Sequence, residues 1–264
     1  DASDKVSYGS RRAYLYGGEL DSVMNYPMRS AVIDYVKNGT VELMRKNSEG
    51  LYRRYPKCTS DNLMNFLGTH DTERILTILG GEEMGDKSNA ELAKLKMTAE
   101  EREIARKKLK LAYGIIAGMP GSPCVFYGDE AGVEGYRDPF CRMPFPWKKI
   151  DEELLSFYRK IGTIRSTNTV FRDGIFEILH LDERAFCYER KPFDGGEDYK
   201  IVVCCARHGK VIAKIWNYGK NHGVKLPITA ENLVTDEKNS TFTFQEGQTA
   251  YLKCPISSSV EFEF

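Results

Sequence analysis

No stretch of this 264-residue chain approaches the roughly 20 consecutive apolar residues needed to span a bilayer, and no charged-then-apolar leader opens it. A soluble, cytoplasmic protein is the expectation, with no membrane partner. Excess charge is missing too. Lys plus Arg equals Asp plus Glu at 38 each, so the electrostatic footprint of a nucleic-acid partner is absent. Histidine is scarce, with four in all. Three of them, His180, His208 and His222, show no ligand spacing, so neither a metal nor another cofactor is expected. A metal-dependent His-Asp phosphohydrolase would need further histidines near His70. The seven cysteines are odd in number and scattered (Cys58, Cys124, Cys141, Cys187, Cys204, Cys205, Cys254), giving neither a disulfide framework nor paired zinc spacing. Reduced, mostly buried thiols are expected, with Cys204 and Cys205 alternating between the core and the surface of a strand.

What is present is an alternation of short apolar runs with long amphipathic segments, the pattern of parallel strands joined by helices. The run LDSVMNYP (Leu20 to Pro27) leads into a helix in which Pro27 suits the first turn and Gly39 the end, and a second helical segment follows up to Pro56. LMNFLGTHD (Leu63 to Asp71) precedes a polar loop and a helix with an N-terminal box at Thr98 and Glu101 and apolar positions at Ile104, Leu111, Ala112, Ile115 and Ile116. PCVFYGDE (Pro123 to Glu130) precedes a loop through Trp147 and a helix over about 151–166. After Asp173 the texture changes to short alternating segments such as IFEILHL, YKIVVCCAR and TFTFQE, which predict an antiparallel β-sandwich. The division predicted is 1–172 for the α/β part and 173–264 for the all-β part.

Each predicted parallel strand ends by delivering polar groups: Asn25 and Tyr26, His70 and Asp71, Asp129 and Glu130. In a (β/α) barrel that end carries the chemistry. Three units cannot close a barrel of eight, so the parallel part is either a small open sheet or the latter part of a barrel. Asp129 and Glu130, adjacent on a strand, point to opposite faces and read as support for the loop rather than as a catalytic pair. Arg106, Lys107, Lys108 and Lys110 read as a solvated helix face.

Three segments in order, LDSVMNYPMRSAVIDYV, MNFLGTHDTERIL and AGMPGSPCVFYGDEAGVEGYRDPFCRMPFPW, resemble the second half of the catalytic barrel of the α-amylase family of glycoside hydrolases. Within it they are most similar to the cyclomaltodextrinase, neopullulanase and maltogenic amylase branch. The resemblance covers nearly the whole chain and implies the last three or so βα units of a TIM (β/α)8 barrel followed by a β-sandwich. It also implies retaining hydrolysis of α-1,4 or α-1,6 bonds in maltooligosaccharides, cyclodextrin, pullulan or starch, which needs two carboxyl groups about 5–5.5 Å apart. By the resemblance Asp71 is a third, charge-stabilising carboxylate and His70 its neighbour on the same sugar. Asp138 and Arg142 hold glucose units on one side of the cleaved bond, and Tyr26 flanks the other. Arg74 joins this substrate-binding set, pairing with carboxylates and orienting them. Thr69 stands where many members carry Asn.

The family's nucleophile and acid precede the first residue matched here, so the chain by itself is expected to be inactive and to need the missing N-terminal half of the barrel as partner. Exposed sheet edges then predict self-association. The alternative is a non-catalytic maltooligosaccharide-binding or structural module, with Tyr26, Tyr136 and Trp147 as stacking platforms.

Overall fold

The computed structural model describes residues 20–50, 55–219 and 224–264. His222, named above for its lack of ligand spacing, lies outside them. Helix α1 (Tyr26–Asn38) is fixed at both ends by local chemistry. The Asn25 side chain accepts from the Met28 N–H at 3.3 Å, and Gly39, at φ 80°, sends its own N–H to the Tyr35 carbonyl. The cap corrects the expected strand over Leu20 to Pro27: the helix starts at Tyr26, ahead of Pro27, and the strand contracts to one parallel bridge between Met24 and Met64. Helix α2 (Val41–Glu49) and a short α3 (Lys57–Ser60) lead to β1 (Met64–Phe66).

Helices α4 (Ile75–Gly80), α5 (Asn89–Leu92) and α6 (Ala99–Gly118) follow, then β2 (Ser122–Cys124), α7 (Glu152–Thr167) and α8 (Val170–Asp173). Strands β1 and β2 pair in parallel, Met64 opposite Ser122 and Phe66 opposite Cys124. The expected strand over Pro123 to Glu130 ends at Cys124, because Gly128 at φ 87° and Gly132 at φ 75° fold the chain into a turn. Asp129 and Glu130 therefore sit in a turn, and the alternation used to separate them does not apply.

The box at Thr98 and Glu101 opens α6. Its buried stripe begins at Ala105 and Leu109 instead of Ile104, which is 45% exposed. Its basic residues are not all solvated: Arg106 bonds Asp151 at 2.9 Å and Lys110 pairs with Glu153, both along the α6–α7 seam, where Tyr113 stacks on Tyr158 at 3.8 Å.

From β3 onward the chain forms two antiparallel sheets. Strands β3 (Ile175–Leu181), β4 (Ala185–Lys191), β5 (Tyr199–Ala206), β8 (Ala230–Asn232), β9 (Glu237–Asn239) and β11 (Thr249–Pro255) make the larger, in the order β3-β4-β5-β11-β8-β9. The smaller holds β6 (Val211–Tyr218) between β10 (Thr241–Phe244) and β12 (Ser259–Glu263), with β7 (Lys225–Pro227) also on β6. Between the sheets lies a core of Cys187, Val202, Cys204, Ile215, Phe242, Phe244 and Leu252. The other face of the larger sheet, with Phe186, Tyr188, Val203, Cys205 and Tyr251, closes the helical core around α1, α6 and α7. Strand β5 is thus covered on both faces, and Cys204 and Cys205 are both fully buried, each in a different core. This corrects the core-and-surface reading and accounts for the unbroken apolar run IVVCCA.

Candidate active site

Beyond β1 the chain continues through Leu67, whose carbonyl accepts the Arg29 Nε–H at 2.6 Å, to Gly68. Only glycine fits there, since a Cβ would lie 2.2 Å from the Asp129 Oδ2. The chain then turns. The Thr69 Oγ1 accepts the Asp71 N–H at 3.2 Å, and the Thr72 Oγ1 accepts the Thr69 N–H at 3.3 Å. This hydroxyl-braced turn carries His70 and Asp71 outward, with side chains 59% and 61% exposed and Nε2 to Oδ1 at 3.1 Å.

A second segment meets them. Cys141, buried in the 3-10 turn Phe140–Arg142, points its Sγ at the His70 carbonyl at 3.3 Å. From the same turn Arg142 reaches the Asp71 Oδ1 at 3.7 Å and the Asp138 Oδ1 at 3.0 Å. His70, Asp71, Arg142 and Asp138 therefore form one continuous polar chain, drawn from two loops some 70 residues apart. It is a fixed carboxylate between an imidazole and a guanidinium, open to a ligand rich in hydroxyls.

Tyr26 is half-buried, its ring edge-on to Phe66 at 4.8 Å, so α1 and β1 fix its direction. Arg74 is placed differently from the other expected binding groups. Its side chain has no exposure, so it stands behind the polar chain and offers no surface to a sugar. Its Nη1 donates to the Tyr127 carbonyl and to the Asp129 Oδ1 at 3.3 Å, its guanidinium lies over the Phe126 and Tyr127 rings at 4.3 and 4.6 Å, and its backbone N–H bonds the Gly135 carbonyl at 2.9 Å. Burial pushes the Asp129 carboxyl up to about 7, outweighing the lowering effect of Arg74. The pair anchors the 126–135 turn beneath the site.

Arg29 and Cys141 were not singled out from sequence. The only hints were position: Arg29 lies one helical turn beyond Tyr26, and Cys141 within DPFCR. Tyr136, expected as a stacking platform, is buried, with its hydroxyl donated to the Glu82 carbonyl at 3.1 Å. Trp147 is 80% exposed beside Phe145, ring centroids 4.7 Å apart. A groove of about 850 Å³ lies elsewhere, between α6, α7 and the β9–β10 segment. Among the described residues no group of three or more His, Cys, Asp or Glu is gathered as a metal ion would require.

Two parallel strands with polar groups gathered beyond their C-terminal ends, and helices packed on an antiparallel β-domain, are consistent with part of a (β/α) barrel followed by a β-domain. The family described as alpha amylase, catalytic domain, matches residues 5–173. An amylopullulanase from Thermoanaerobacter thermohydrosulfuricus is 34% identical over 250 residues, 89% of this chain and 16% of that protein. A cyclomaltodextrinase from Thermoanaerobacter pseudethanolicus is 32% identical over 183 residues, 67% of this chain and 28% of that protein. The solved structure of a cyclic α-maltosyl-(1→6)-maltose hydrolase from Arthrobacter globiformis, in complex with maltose, matches with a TM-score of 0.65 at 23% identity, covering 91% of this chain and 46% of that one. The chain belongs to the α-amylase family of glycoside hydrolases. It spans less than a third of the two relatives and about half of the solved structure.

Proposed function

We propose that this chain supplies the last βα units of a (β/α)8 barrel, residues 1–172, and the following sandwich, 173–264, of a retaining α-glucan hydrolase acting on α-1,4 or α-1,6 bonds of maltooligosaccharides, cyclodextrin, pullulan or starch. One observation carries this reading: the Asp71 carboxylate is held between His70 and Arg142 at 3.1 and 3.7 Å, beyond the end of a parallel strand. A fixed anion there stabilises positive charge developing at an anomeric carbon, because the dipoles around it are already oriented. Asp138, bonded to Arg142, would share the sugar hydroxyls, with Tyr26 on the other side. Arg74 acts through Asp129 on the turn behind them. The maltose complex of the Arthrobacter hydrolase supports a maltooligosaccharide as ligand. Seven free thiols suit a cytoplasmic setting.

Retaining hydrolysis needs a nucleophile and an acid besides Asp71, and the matched segments supply neither. The 264-residue chain alone is therefore expected to release no maltooligosaccharide from starch, pullulan or cyclodextrin. In an active enzyme that includes the rest of the barrel, Asp71→Asn is expected to lower kcat by about 10²–10³. Saturable hydrolysis by this chain alone, abolished by the same substitution, would overturn the assignment. The barrel's other half is the proposed partner, and in its absence the exposed β2 edge is expected to drive self-association. A clean monomer by sedimentation at tens of micromolar would contradict that.

The exposure of Trp147 favours a second reading, a non-catalytic maltooligosaccharide-binding module. Maltotriose should then quench fluorescence in the parent chain and not in Trp147→Ala. No response at millimolar sugar removes this reading.

A further inference from the structure

Two of the buried cysteines stand directly opposite one another. In the β4–β5 pairing Cys187 faces Cys204, and both side chains enter the core between the sheets. The kind of pair they form follows from the backbone bonds. The Arg207 N–H reaches the Arg184 carbonyl at 2.7 Å, so the Arg184 and Arg207 pair is hydrogen-bonded across β4 and β5, and every second pair from there is too. Phe186 with Cys205 and Tyr188 with Val203 are then the narrow pairs. On the other side of β5 the Ala206 N–H points to the Gln248 carbonyl at 2.9 Å, which puts the polar groups of Cys204 toward β11 as well. Cys187 and Cys204 are thus a non-hydrogen-bonded pair. In such pairs the Cα atoms lie about 4.5 Å apart and the side chains at their closest, inside the roughly 4.4–6.8 Å range that a disulfide accepts.

We propose that Cys187 and Cys204 are an oxidation site, closing a cross-strand disulfide that locks β4 to β5 when the chain folds in the presence of a small-molecule disulfide. The Cys187 thiolate attacks one sulfur of the reagent, forming a mixed disulfide and releasing one thiolate. The Cys204 thiolate then attacks the Cys187 sulfur, breaking the mixed bond and releasing the second. Two protons leave the protein, and the reagent gains two electrons. Both residues have no exposure and burial pushes the Cys204 thiol far up, so exchange proceeds while the chain folds or opens, not on the closed sheet. No other cysteine of the two antiparallel sheets has this geometry: Cys205 faces the helical core, opposite Phe186 and Thr249, while Cys254 is paired with Lys200.

The test is refolding of the full chain with oxidised and reduced glutathione, alkylation of remaining thiols and tryptic mapping. The expected product links peptide Ala185–Arg190 to peptide Ile201–Arg207, leaving five of the seven thiols alkylated. The link should persist in Cys205→Ala and Cys254→Ala and vanish in Cys187→Ala. Closing a ring of about 18 residues should raise Tm by about 6–12 °C over the reduced chain. Seven alkylated thiols after oxidative refolding, or a link that joins Cys204 to Cys254, would overturn the proposal.

Discussion

Replacing Arg74 by methionine is expected to cost about 3–5 kcal/mol of stability at pH 8 and clearly less at pH 5. Methionine keeps much of the length that packs on Phe126 and Tyr127, so the larger loss is electrostatic. It removes the only cation within hydrogen-bond reach of Asp129 among the described residues and the donor to the Tyr127 carbonyl. The pH dependence follows from Asp129. An unfolded Asp releases its proton near about 3.9, whereas burial holds the folded carboxyl up to about 7. Between those values the folded protein keeps a proton that the unfolded chain has lost, so raising the pH through that window favours unfolding. Taking away Arg74 removes the main influence that lowers the folded value, and the penalty therefore grows above pH 7. At pH 5 the carboxyl is neutral with or without Arg74, and the loss is limited to the hydrogen bonds to the neutral Asp129 and to Tyr127 and to some packing. Urea denaturation at the two pH values checks this, and an equal cost at both would show that Asp129 does not titrate as argued. Asp129→Asn should remove the share of the slope between pH 4 and pH 7 that Asp129 contributes.

The same pair shows where sequence reading worked and where it stopped. That the polar residues after Phe66 are delivered by a strand was legible, because the apolar stem and Gly68 sit in one short segment. That Asp138 and Arg142 join them was not visible from spacing; it came only with the family resemblance, since some 70 residues of helix and loop intervene. Arg74 is expected among the substrate-binding groups and Asp129 as support for the loop, and neither reading shows that the two are buried together. Periodicity reports which residues prefer a core, and a charged pair enters one only when the fold brings both members together. Strand limits failed for a local reason. The cap at Asn25 and the positive φ of Gly128 and Gly132 convert apolar residues near each strand end to helix or turn. The sandwich was legible from its alternation, but β5 was misread, because a strand covered on both faces loses the alternation that identifies a surface.

The join between α6 and the larger sheet supports the second large effect. Gly118→Ala is expected to destabilise the protein by about 2–4 kcal/mol, although alanine in an exposed helix would add about 1 kcal/mol of stability. A Cβ at Gly118 would lie 2.3 Å from the Tyr188 Oη and 3.1 Å from the Tyr251 Oη. Neither phenol can swing away. Both tyrosines are fully buried and each donates to an α6 carbonyl, Tyr188 to Ile115 at 2.7 Å and Tyr251 to Gly114 at 2.6 Å. Displacing Tyr188 breaks its bond and leaves a hydroxyl without a partner in the core. The Gly118 carbonyl also accepts from the Arg190 Nη1 at 3.1 Å, so a shift of the helix end reaches a buried guanidinium as well. If the hydroxyl is the obstacle, Tyr188→Phe alone should cost about 1 kcal/mol and the double substitution well under the sum of the two. Chemical denaturation of the four proteins closes the cycle. Strict additivity would mean that the helix and the sheet are not held at this distance by the tyrosine, and that the small residue at the end of α6 serves something other than close approach.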